Sequence, residues 1–173
     1  MNTETTQTQA REISSILDAG GSNQCLTFKL ADEEYGVDIM KVQEIRSWES
    51  ATSIPNTPDF IIGVINLRGN VVPVIDLRKR FSLDKAEYGA STVIVVVKVE
   101  HRGDERIMGL VVDAVSEVYN ISDEMMRETP ELGSAVNTEF VKGLATVDDK
   151  MIIMLDADLI VSPEHLSVQE KVA

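Results

Sequence analysis

Residues 60–76 read FIIGVINLRGNVVPVID, and residues 140–156 read FVKGLATVDDKMIIMLD. The two stretches align without a gap: Phe60 falls on Phe140, Gly63 on Gly143 and Asp76 on Asp156. Each is an apolar run, a polar turn and a second apolar run, the pattern of a β-hairpin. The turns are Arg68-Gly69-Asn70 in one copy and Asp148-Asp149-Lys150 in the other. Upstream the correspondence continues: Gly36-Val37-Asp38-Ile39 with Val42, Glu44 and Ile45 matches Gly109-Leu110-Val111-Val112 with Val115, Glu117 and Val118. The same parts in the same order imply an internal duplication. Short strands joined by tight hairpins suit small barrels, which close the sheet and remove its edges. The expected fold is mostly β, a duplicated barrel packed as one body with a few short helices.

The rest of the chain agrees with this. Leu26, Phe28 and Leu30 alternate with Cys25, Thr27 and Lys29, the period of a half-buried strand, and Tyr35, Val37 and Ile39 alternate in the same way. Residues 92–100 and 107–113 form another pair of strands around the tip His101-Arg102-Gly103-Asp104. Short helices are expected around 77–81, after Ser122 and around 156–161. Residues 1–23, rich in Thr and Gln and ending in Gly20-Gly21-Ser22-Asn23, read as a mobile arm. Ile13, Ile16 and Leu17 there have helical spacing. The body is expected over 24–162, with a fraying tail over 163–173.

Composition narrows the function. The chain has 173 residues, 43% of them apolar, and a formal net charge of −13. That charge repels nucleic-acid phosphate and anionic lipid, and the basic run Arg78-Lys79-Arg80 is too short to offset it. A single cysteine, a polar N-terminus and no apolar run long enough to cross a bilayer lead to the expectation of a soluble cytoplasmic protein, with no membrane insertion. Neither histidine, His101 or His165, has a metal-ligand partner at a usual spacing. No nucleophile elbow, phosphate loop or dinucleotide fingerprint is present. Cys25 reads as a packing residue of a strand. The sequence thus offers no catalytic constellation, no metal site and no cofactor site, and leaves the surface to carry the function. Features confined to one copy are the best candidates there: Arg68, whose counterpart is Asp148, and also Trp48 and Pro73. Trp48 is open to two readings, a cap over a barrel mouth or an interface anchor.

Residues 32–46, DEEYGVDIMKVQEIR, closely resemble the opening motif of the CheW family of bacterial chemotaxis coupling proteins. The stretches 56–78, 109–115 and 140–144 extend the resemblance over nearly the whole body. It implies two intertwined five-stranded SH3-like barrels. It also implies a non-enzymatic adaptor, recruited to receptor arrays at the inner face of the membrane. The partners implied are the cytoplasmic tip of a chemoreceptor and the regulatory domain of the histidine kinase CheA. Carried over by motif, Val42, Glu44, Gly63, Arg68, Gly109 and Val118 correspond to positions implicated in coupling to receptor or kinase. Ile39 is open to two readings, an apolar anchor at the kinase-facing edge or a core residue. Two rivals share the fold. A CheV-type protein would add a receiver domain, for which the stretch after Pro163 is too short. A detached CheA regulatory domain is disfavoured by the polar arm at the N-terminus.

Overall fold

The computed structural model of the chain describes residues 24–84, 87–101, 103–128 and 140–161. The expected arm over 1–23, the tail over 163–173 and His165 lie outside the described residues. The described strands, in chain order, are β1 (Gln24–Leu30), β2 (Glu33–Asp38), β3 (Val42–Ser47), β4 (Ile61–Leu67), β5 (Asn70–Asp76) and β6 (Val93–His101). They continue with β7 (Asp104–Val112), β8 (Ala114–Asn120), β9 (Met126–Arg127), β10 (Val141–Val147) and β11 (Lys150–Leu155). Helical turns occupy Leu77–Arg80 and Ala157–Ile160, with 3-10 turns at Ile39–Lys41 and Asp123–Met125.

These strands form two sheets, β3-β6-β7-β5-β4 (barrel I) and β8-β1-β2-β11-β10-β9 (barrel II). Strand for strand the orders correspond, and each barrel contains one parallel pair, β5 with β7 and β11 with β2. Register agrees as well. Val74 pairs Gly109 in barrel I, and their counterparts Met154 and Gly36 pair in barrel II. Bulges recur at matched places, after Ile61 in β4 and after Val141 in β10. Closure is also repeated: Thr52 bridges Val64 in barrel I, and Arg127 pairs Leu144 in barrel II. Neither barrel is one half of the chain. The hairpin β1–β2 belongs to barrel II and the hairpin β6–β7 to barrel I, so each half gives its first hairpin to the other half's barrel. This is the intertwining that the resemblance implied.

Burial explains the sequence pattern of the central strands. Val93, Val95, Val97 and Val99 face a large core shared with Leu26, Phe28 and Leu30 of the other barrel. Ile94 and Val96, on the opposite face of β6, fill the interior of barrel I. A strand buried on both faces reads as a continuous apolar run, which is why 93–97 does not alternate. The hairpin β6–β7 is longer than the sequence suggests, because strand pairing runs out to His101 and Asp104. Glu100 and Glu105 thus belong to the ladder, opposite each other, and Lys98 reaches Glu105 at 3.3 Å.

The segments that cross between barrels are tied down by ion pairs. Arg78 grips Asp113 through Nε (2.7 Å) and a terminal nitrogen, and Asp113 also accepts the Ala31 N–H at 2.8 Å. The other crossing is held by Lys41 and Asp158 at 3.1 Å.

Candidate functional site

The β4–β5 hairpin turns through Arg68 and Gly69, whose φ angles are 52° and 87°. Two consecutive positive φ values define the tight primed turn that matches strand twist. Glycine takes this conformation readily, whereas arginine does so uncommonly. Asn66 supports the turn by accepting the Gly69 N–H at 2.8 Å. The turn is two residues long, so Asn70 belongs to β5. Arg68 leaves the tip with its side chain 71% exposed and meets Glu44 at 2.7 Å.

Glu44 stands on β3 beside a bulge that shifts register between Val42 and Glu44. Bulges re-aim the side chains next to them. Its carboxylate, only 16% exposed, also meets Arg46 at 3.4 Å, and Arg46 in turn reaches Glu49 at 3.3 Å. The result is an alternating row Arg68–Glu44–Arg46–Glu49 at the rim of barrel I. Exposed pairs of this kind contribute at most about 1 kcal/mol, so the row positions charge more than it stabilises. Among the described residues, barrel II has no equivalent row. Glu117 is exposed there, and the tip residue matching Arg68 is Asp148, also at positive φ.

The other sequence candidates scatter. Ile39 is 4% exposed and lies in the shared core, which removes it as an apolar anchor on the surface. The alternation read through Tyr35, Val37 and Ile39 ends early, because β2 stops at Asp38. The Asp38 carboxylate accepts the Met40 N–H at 2.9 Å and starts a 3-10 turn, which turns Ile39 inward and Met40 out. Val42 is buried in the same core. Val118, on β8 of barrel II, is half-buried against it and pairs with Leu26. Gly63 has φ 148°, and a methyl group there would overlap the Thr52 carbonyl where barrel I closes. Gly109 leaves room for Ile94, whose Cγ2 lies 2.7 Å from where a Cβ would stand. Glu44 and Arg68 thus meet at the surface, whereas Ile39, Val42 and Val118 gather in or against the shared core.

Sequence reasoning missed Arg46 and Glu49. Arg46 shares a strand face with Glu44, and that spacing was the available signal. Trp48 is half-buried against the barrel I interior and stacked on Tyr88 with ring centroids 4.1 Å apart, as a mouth cap would be. Tyr88 donates its hydroxyl to Asp76 at 2.6 Å, and burial with that bond pushes its pKa up.

A surface cleft lies elsewhere, at the mouth of barrel II. It measures about 240 Å³ and is lined by Cys25, Asp38, Ile121, Asp123, Lys142 and Met154 among others. Burial pushes the Cys25 thiol up to about 11, far from a nucleophile at neutral pH. Among the described residues no three His, Cys, Asp or Glu side chains gather in a way that could hold a metal ion. No helix there is long and apolar enough to cross a membrane.

A family model for the CheW-like domain matches residues 24–164. The chain belongs to the CheW-like family. Among its relatives, chemotaxis protein CheW of Klebsiella aerogenes is 43% identical over 148 residues, covering 86% of this chain and 87% of that one. A probable chemotaxis protein CheW of Rhizobium etli is 38% identical over 142 residues, covering 82% and 89%. The crystal structure of the scaffolding protein TtCheW from Thermoanaerobacter tengcongensis superposes with a TM-score of 0.73 at 39% identity, covering 84% of this chain and 92% of that one. The mostly-β fold of two SH3-like barrels follows from this likeness together with the two matched sheets. CheW-like proteins are chemotaxis adaptors and scaffolds, and this chain is one of them and not an enzyme.

Proposed function

We propose that this chain couples the cytoplasmic tip of a chemoreceptor to the regulatory domain of the kinase CheA, in the cytoplasm at receptor arrays. Residues 24–162 are the working body. The observation that carries this reading is the Arg68–Glu44 contact. A largely exposed guanidinium is held in one direction by a shielded carboxylate, on a turn whose counterpart does without either the arginine or the pair. The fold does not need it, and a charge pre-aimed in this way suits specificity and steering of a partner. Ile39 and Val42 are buried in the shared core and are not available on the surface. The apolar contact falls instead to exposed residues, Val71 (69% exposed) on β5, two residues past the turn, and Met40 (67%) at the crossing turn.

The test is capture by a receptor fragment and by the CheA regulatory domain, separately and together, using the native chain, Arg68→Ala and Val71→Ser. Arg68→Ala should weaken capture of at least one partner while the protein melts as before. Undiminished capture of both partners by both variants would overturn the assignment of this face.

A further inference from the structure

Phe60 and Phe140 are counterparts in the duplication, and their carbonyls do the same work: each accepts the N–H of its matched aspartate, Asp76 or Asp156, at 2.8 Å. Both rings also touch one side chain. The guanidinium carbon of Arg80 lies 4.6 Å from the Phe60 ring centroid and 4.3 Å from that of Phe140. A group that contacts two symmetry-related positions at nearly equal distance must sit close to the axis relating them. The Arg80 guanidinium therefore lies near the approximate axis that relates the barrels.

The duplication has to break at such a place. Two arginines reaching the axis from matched helical turns would put two like charges in one volume. The counterpart of Arg80 is Ile160, short, uncharged and fully buried. Phe81 adds a third ring, tilted against Phe140 at 5.9 Å and stacked on Tyr35 at 5.9 Å. A guanidinium shielded by aromatic faces gains more than one in water, and its planar shape suits stacking on a ring.

We propose that Arg80 is an axial pin: the cation against Phe60 and Phe140 fixes the angle at which the two barrels are held. This goes beyond the partner-coupling reading and does not depend on it. The pin is a positioning element, because the shared apolar core would hold the barrels together without it but does so through non-directional contacts. A cation against two rings adds direction.

Spin labels at Val71 and Met151, exposed counterparts on the two hairpins, read the inter-barrel distance in the full chain. Cys25 can stay in place because it is buried. The native chain should give a narrow distribution. Arg80→Met, similar in length but uncharged, should widen it on the order of twofold while the far-ultraviolet spectrum is unchanged. Arg80→Lys keeps the charge and should fall between the two. Phe60→Leu, which removes one ring and leaves an apolar side chain, should widen it as well and serves if Arg80→Met does not fold. Folded Arg80→Met or Phe60→Leu protein with the native distance and width overturns the proposal.

Discussion

Barrels I and II share a backbone plan and differ in what fills it. Ile94, Val96, Ile62, Val111, Ile107 and Ile65 in barrel I stand where barrel II has Cys25, Thr27, Lys142, Asp38, Glu34 and Ala145. The mouths differ in the same sense. Trp48 packs under Tyr88 over barrel I, whereas its counterpart Ile121 lines the open cleft of barrel II. One hydrogen-bonded frame thus accepts either an oily or a partly polar interior. It can do so because the core shared between the barrels, more than either interior, buries the bulk of the large apolar side chains.

The comparison can be broken most directly at that shared core. Ile39→Glu places a carboxylate with no designed partner among Leu26, Phe28 and their neighbours, and an unpaired buried charge costs several kcal/mol. The expected outcome is loss of the cooperative melt and of both barrels together. A variant that melted like the native chain would mean the crossing turn is not part of the core.

Next in size are the closure glycines. Gly63→Ala combines an unfavourable φ with overlap onto the Thr52 carbonyl, and should cost about 3 kcal/mol in urea unfolding. At Gly143 the added carbon would lie 2.8 Å from the Arg127 carbonyl, on the two-residue strand β9. That edge can yield, so Gly143→Ala should cost nearer 1 kcal/mol. Equal costs would show that barrel II closes as firmly as barrel I.

Smaller effects sharpen the contrast between interiors. Thr27 is fully buried, donating to the Glu117 carbonyl at 2.9 Å and accepting the Glu117 N–H at 3.0 Å across a bulge. Thr27→Val, which installs the residue type found at its counterpart Val96, should cost about 1–2 kcal/mol by orphaning both groups. The Cys25 thiol titrates at 9.0 when unperturbed and is raised to about 11 by burial. It stays neutral in the fold while the unfolded chain ionises, so its contribution is complete below pH 9 and is lost as pH rises towards 11. Subtracting the pH profile of Cys25→Ala from that of the native chain should reveal this slope. Smallest of all, Arg68→Ala should move the melt by less than about 0.5 kcal/mol.

The duplication was legible because turn chemistry, glycine spacing and aspartate caps recur at fixed intervals, and these obey local rules. The exchange of hairpins was not legible from periodicity. Alternation says that Leu26 and Phe28 face a core, but not that the core lies between the barrels. The pairing of Glu44 with Arg68 was equally hidden, since a bulge and a hairpin tip set it. What sequence did reveal was the mismatch of Arg68 with Asp148, which marked the right residue without its partner. Ile39 stayed open between surface and core for a local reason: its alternation with Val37 fits the core both share, but nothing in it warns that the Asp38 side chain will end the strand by capping a turn.

The exchanged hairpins set a timetable for synthesis. Barrel I has all its strands once β7 has left the ribosome at Val112, whereas barrel II cannot be completed until β11 ends at Leu155. The first of the described hairpins, β1–β2, therefore waits for neighbours made much later. Its apolar faces and free edges stay open through most of translation, the condition under which strands pair with other chains. Contacts this distant in sequence also close slowly. In a nascent chain, the hazard of misassembly is concentrated at β1 and β2.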